Sequence, residues 1–143
     1  MLASEPTYHF FNMIENDPKA FIESEDFEKL ESTDSVLVAY LYQLLYKRTM
    51  TLRDLIYKMP ISKSYLYQIT SKRRNMGRDV AVILSLVLGL DLDETQNLLR
   101  YSNNAALYPK IRRDAIIICC IQCGMTYEKT NEMLISKGEK GLL

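Results

Sequence analysis

The sequence predicts an all-α fold. Apolar residues recur at spacings of three and four along most of the chain, no stretch alternates with a period of two, and five Gly and four Pro leave few places to break a helix. A length of 143 residues suits one core, burying roughly two thirds of the surface of the unfolded chain.

Met1 to Ile14 carries an apolar group, Tyr8, Phe10, Phe11, Met13 and Ile14, without a clear period, suited to docking on the core or on a partner. Asp17 ahead of Pro18 marks a helix start, and Ala20, Phe21, Phe27 and Leu30 line one face of an acidic helix expected to end near Glu31. Residues 1–33 are thus expected to form an acidic helical N-terminal arm. Ser32, Thr33 and Asp34 form a polar break, any of which suits the cap of the next helix. That helix is dense in Val36, Leu37, Ala39, Tyr40, Leu41, Leu44 and Leu45, and closes with Lys47 and Arg48, cations suited to the negative end of a helix dipole.

From Thr51 to Arg74 two short helical patterns are joined by a turn. Leu52, Leu55, Ile56 and Met59 fall on one side of the first, and Thr51 with Asp54 predicts a capping box. Ser62 caps the second, turning Leu66 and Ile69 inward and Lys63, Ser64, Tyr67 and Gln68 outward. Two helices with so short a joint must cross steeply, which is helix-turn-helix geometry.

Beyond the turn, RDVAVILSLVLGL is apolar on nearly every side and is stopped by Gly89. Asp91 and Glu94 predict a capping box for a helix carrying Leu98 and Leu99. The pattern then repeats: Arg78-Asp79 falls on Arg113-Asp114, Gly89 on Gly124, Thr95 on Thr130, and Leu98-Leu99 on Met133-Leu134. Two copies are too few for a solenoid, so a duplicated helical hairpin is expected, extending the core or equally supplying a dimer surface. The joint Ser102 to Pro109 places Pro109 to open the following helix.

The formal net charge is zero, but it is unevenly spread. Residues 1–35 hold nine acidic side chains against Lys19 and Lys29, and residues 47–78 hold nine basic ones against Asp54 alone. A basic face of this kind is the footprint of a nucleic-acid binder.

These residues carry a family resemblance. Thr51, Leu55, Ile61-Ser62 and Ser64-Tyr65-Leu66-Tyr67-Gln68-Ile69 resemble the Xre-type helix-turn-helix regulators, the class of the phage lambda repressor and Cro, and in particular small regulators of Gram-positive bacteria. Weaker similarity runs from about Asp34 to Leu143. The chain departs from the pattern at Ile56, where the family usually has a small residue, and at Pro60, where it usually has Gly in a left-handed conformation that Pro cannot adopt. The resemblance implies a lambda-repressor-like five-helix DNA-binding domain over residues 34–104, a C-terminal helical hairpin over 105–143 packed on the same core, double-stranded DNA as partner and a homodimer.

The expected function is sequence-specific transcriptional regulation, with the second helix of the pair in the major groove. Ser62, Lys63, Ser64, Tyr67 and Gln68 are the expected base readers, Gln68 suiting adenine and Lys63 guanine. Thr51, Arg53, Tyr65, Arg73, Arg74 and Arg78 are expected on the DNA backbone. The alternative is the same fold reused as a protein-interaction adaptor, with the acidic arm as its binding element.

Other chemistry lacks a constellation. Cys119, Cys120 and Cys123 sit in AIIICCIQC as small apolar fillers, and His9, the one His, is distant from them, so neither metal nor cofactor is expected. There is no Gly-rich phosphate loop and no nucleophile elbow, so no catalytic residue is assigned. The absence of an apolar run long enough to span a bilayer and of a secretory signal, with the three Cys crowded into one short segment, points to a cytoplasmic protein with free thiols.

Overall fold

A computed structural model describes residues 5–30 and 33–142, and every regular element among them is helical. They fall into two compact units, Met1–Ser32 and Thr33–Leu143. Among the described residues no helix is long and apolar enough to cross a membrane.

The first unit contains α1 (Glu5–Asn16), α2 (Pro18–Ile22) and α3 (Glu25–Glu28). Asp17 starts α2 as expected, accepting the Ala20 N–H at 3.2 Å with Pro18 in the first turn. The single acidic helix expected from there to Glu31 is instead two. Glu23 closes α2, and Ser24 restarts the chain by accepting the Phe27 N–H while donating its hydroxyl to the Phe21 carbonyl. In one straight helix Phe21 and Phe27 would lie about 120° apart around the axis, at the two edges of the expected face and too far round for their rings to meet. The break brings both rings together, so that buried Phe21 meets Phe10 and Phe27 edge-on, each with centroids 6.0 Å away. Tyr8 and the expected caps Ser32, Thr33 and Asp34 lie outside the described side chains.

The second unit contains α4 (Thr33–Lys47), α5 (Leu52–Lys58), α6 (Lys63–Thr70), α7 (Arg78–Leu88), α8 (Leu92–Tyr101), α9 (Arg112–Gln122) and α10 (Tyr127–Ser136). One apolar cluster runs through it, joining Leu41 of α4, Leu55 of α5, Leu66 of α6, Leu84 of α7, Leu98 of α8 and Ile117 of α9. α7 is buried on nearly all sides, as its sequence requires.

The hairpins α7–α8 and α9–α10 repeat one another down to single hydrogen bonds. Gly89 and Gly124 both take φ of 66° and end their helices, a left-handed conformation that costs Gly little. The next N–H reaches back in each case, Leu90 to the Ser85 carbonyl and Met125 to the Cys120 carbonyl. Thr95 and Thr130 both donate to the carbonyl of their helix cap, at 2.8 Å. Gln96 accepts the Leu107 N–H and Asn131 accepts the Leu142 N–H. α7 lies against α10 and α8 against α9, so the copies are related by a pseudo-two-fold axis.

Across that axis the two Arg-Asp pairs exchange partners. Arg78 grips Asp114 through Nη1 and Nη2 at 2.9 and 2.8 Å, and Arg113 grips Asp79 at 3.0 and 3.1 Å. Each guanidinium also holds its own return segment, Arg78 the carbonyls of Ala105 and Ala106, Arg113 those of Lys140 and Gly141. Pro109 does not open α9, which starts at Arg112. Asp114 accepts the Tyr108 N–H at 3.0 Å and keeps residues 108–111 in a turn for one further step.

Asp114 is 1% exposed. Burial pushes its carboxyl up, but the Arg78 hydrogen bonds, the Tyr108 N–H and the charges of Arg78 and Arg113 together hold it below the ordinary range. A carboxyl depressed in the folded state contributes stability above its unfolded value, about 3.9, and loses it as the pH falls through its folded value. Arg78→Ala, which leaves this carboxylate buried without its partner, should destabilise the protein by about 3 to 5 kcal/mol in urea unfolding at neutral pH. Arg113→Ala should cost less, because the Asp79 side chain is 23% exposed and keeps its water. The Arg78→Ala deficit should shrink as pH falls and Asp114 protonates. Equal costs for the two variants would contradict this assignment.

Candidate nucleic-acid interface

α5 begins on the expected capping box: Thr51 Oγ1 accepts the Asp54 N–H at 3.1 Å and Asp54 accepts the Thr51 N–H at 2.9 Å. The Thr51 backbone N–H, then its side chain, holds the Asp54 carboxyl below the ordinary range. Leu55 and Ile56 are buried, so the large side chain at 56 is absorbed by the core. α5 ends at Met59, extended at φ −80° and ψ 136°, because the residue before Pro avoids the helical region. The left-handed non-Gly residues described are Thr49, Lys72 and Asn103. The turn around Pro60 is therefore built without positive φ.

α6 starts on Ser62, whose Oγ accepts the Tyr65 N–H at 3.3 Å. Leu66 and Ile69 are 0% and 1% exposed, and this buried seam fixes the opposite side of the helix outward. Lys63, Ser64 and Tyr67 are exposed, and Gln68 is half-buried with its Nε2 donating to Ser64 Oγ at 3.3 Å. Ser64, Tyr67, Gln68 and Arg73 share a surface depression of about 510 Å³ with Thr70 and Ser71. Those last two were not among the expected site residues. The helical period holds the signal for Ser71, since Ser64, Gln68 and Ser71 follow one line along α6.

The chain leaves α6 through Lys72 at φ 64°, with the Arg73 N–H returning to the Gln68 carbonyl at 2.9 Å. This C-terminal wrap keeps exposed Arg73 beside the outward face. Arg53 is exposed as well, next to the Thr51 cap.

Two of the residues expected on the DNA backbone are engaged within the fold. Arg78 is committed to Asp114 and to the Ala105 and Ala106 carbonyls, which occupies four of its five N–H donors. Sequence alone could not separate it from a free surface cation. Tyr65 points at the α6–α7 loop: its hydroxyl oxygen accepts the Gly77 N–H at 3.0 Å, and the Arg74 guanidinium lies 4.2 Å from its ring centroid. Tyr65 therefore positions Arg74. Arg48, counted in the basic stretch, is also committed, to Glu94 and to the Leu44 and Leu88 carbonyls.

The cysteines differ from the apolar-filler expectation. Cys120 is buried, and its burial pushes the thiol up, but Cys119 and Cys123 are exposed on α9, where they line a surface groove. Among the described residues no group of three or more His, Cys, Asp or Glu is placed to hold a metal ion. Comparison of the chain with protein families, with curated proteins and with solved structures finds no match in any of the three.

Tyr65→Phe should cost about 0.5 to 1.5 kcal/mol of stability by removing one hydrogen bond, while leaving the ring under Arg74. Tyr65→Leu should in addition release Arg74, visible as a change in its side-chain NεH resonance. An Arg74 signal unmoved by the Leu substitution would show that the ring does not hold it.

Proposed function

We propose that the chain is a sequence-specific transcriptional regulator of the Xre type that binds double-stranded DNA with α6 in the major groove. In this reading α4 to α8 form a lambda-repressor-like five-helix domain, which the C-terminal hairpin α9–α10 extends, and two copies read a two-part operator. The observation that carries it is the outward face of α6. From Leu55 to Arg78 the chain has no acidic residue, and Lys63, Ser64, Tyr67 and Gln68 line up there, with Arg73 and the ring-held Arg74 at the end of the helix.

Ser62, Lys63, Ser64, Tyr67 and Gln68 are assigned to base edges or the nearest DNA backbone, Ser62 while its Oγ also caps α6. Thr51, Arg53, Arg73 and Arg74 flank them and suit phosphate. An α6 firmly seated through Leu66 and Ile69 reaches the groove with its orientation already fixed, which lowers the ordering cost of binding.

The test uses duplexes recovered from a random pool by the purified protein, measured by gel shift against a scrambled duplex over a salt series. A base contact is worth about 1 to 3 kcal/mol against the wrong base, so Lys63→Ala and Gln68→Ala should each relax preference at one or two positions. Arg73→Ala should weaken both duplexes alike and flatten the log-log salt slope by about 0.9. Failure of the wild type to distinguish the duplexes at any salt would leave protein interaction as the use of this fold.

A further inference from the structure

The two hairpins are alike in backbone but not in what covers them. On the first, α4 lies against α8. Tyr40 meets Tyr101 edge-on with centroids 5.0 Å apart, and Arg48 and Lys47 both reach Glu94, at 3.1 and 3.6 Å. In the same hairpin Leu84, Leu88, Leu90 and Leu98 are 0%, 8%, 4% and 0% exposed, in the core cluster that also holds Leu37, Leu41, Leu44 and Leu45 of α4.

The same positions in the second hairpin are Cys119, Cys123, Met125 and Met133. There both thiols are exposed and both Met are half-buried. They line a groove of about 460 Å³ between α9 and α10, with Arg112 and Lys137 at its rim. The groove continues through Met125 and Met133 into a second depression of about 350 Å³ over Lys129, Glu132 and Ser136. Lys129, Glu132 and Ser136 are the counterparts of Glu94, Asn97 and Tyr101, the positions on which α4 rests in the first hairpin. The second hairpin thus presents a helix seat with no helix of this chain's second unit in it.

Its charge is inverted at one position. Where Glu94 receives the basic end of α4, the second copy has Lys129, whose only described ion pair is with Glu132 at 3.9 Å, both side chains more than 70% exposed. An exposed pair of that kind contributes little and yields to a better partner. We propose that the α9–α10 groove docks an amphipathic α-helix of a partner protein that carries carboxylates in its last turn. Its apolar stripe would cover Cys119, Cys123, Met125 and Met133, with its carboxylates meeting Lys129. Methionine lining suits such a surface, since its flexible side chain adapts to the helix it receives. This inference is independent of the DNA-binding proposal.

The two exposed thiols report occupancy directly. Two synthetic peptides of residues 33–48 serve as probes, one natural and one with Lys47→Glu and Arg48→Glu, each added to the full chain. The acidic peptide should slow maleimide labelling of Cys119 and Cys123 several-fold and the natural one should not. Lys129→Glu, an exposed substitution that leaves the core untouched, should reverse that preference, and Met133→Asp should abolish protection. Protection by neither peptide, or by both irrespective of Lys129, would overturn the proposal. Labelling that slows with protein concentration alone would overturn it in favour of a second copy as occupant, and faster labelling in the Phe11→Asp, Ile14→Asp chain in favour of its own acidic segment.

Discussion

A carboxylate almost without access to water sits in the first turn of α9, and the cation that neutralises it belongs to the other hairpin. Asp114 alone would be an expensive group to bury, and Arg78 supplies a two-pronged match that also ties down the loop at Ala105 and Ala106. Arg113 and Asp79 repeat the arrangement in reverse, closing the pseudo-dyad. Arg78 is also the first residue of α7, directly after Gly77, whose N–H meets Tyr65 of α6. Asn75 and Asn104 staple the same loop, donating to the Ser102 and Met76 carbonyls. A continuous line of contacts therefore leads from the hairpin pair to the helix that faces outward.

Much of this was legible in the chain because it is local. Thr51 with Asp54 and Asp91 with Glu94 announce their capping boxes across three residues, and Gly89 and Gly124 announce helix ends where only a left-handed residue fits. The hairpin duplication was visible in the Arg-Asp, Gly, Thr and Leu matches. Its most consequential feature was not. Of the matched Arg-Asp pairs only Arg78 was given a role, on the DNA backbone, since nothing in a repeat states that each Arg takes the other copy's Asp. For the same reason Arg48 and Arg78 looked no different from Arg53 and Arg73, although the first two are held by carboxylates and carbonyls and the last two are exposed. Long-range pairing is a property of the packed helices, beyond the reach of periodicity. The split of the acidic helix at Ser24 is a second case, where the gain from bringing Phe21 to Phe27 outweighs a continuous helical pattern.

Duplication also separates what a hairpin must do to fold from what it is used for. The hydrogen bonds at Gly89 and Gly124, at Thr95 and Thr130, and at Gln96 and Asn131 are retained in both copies, and they define the hairpin. The residues that differ lie on the outer side, where Glu94 and Tyr101 meet α4, while Cys119, Cys123 and Lys129 are exposed. The positive charge of residues 47–78 divides similarly. One share stabilises the unit, through Arg48 and Arg78, and another lies on and just after α6, in exposed Lys63, Arg73 and Arg74.

That the outward side of α6 is the surface that meets DNA is the proposal on which the functional reading rests. It is tested most directly by titrating isotope-labelled protein with a short duplex selected from a random pool and following backbone amide shifts. The expected result is a contiguous set of perturbations from Ser62 to Arg74, with α9 and α10 unmoved and the side-chain amide of Gln68 shifted by the selected duplex more than by a scrambled one. Perturbations that cluster on α9 and α10, or that leave α6 silent while the protein binds, would contradict it.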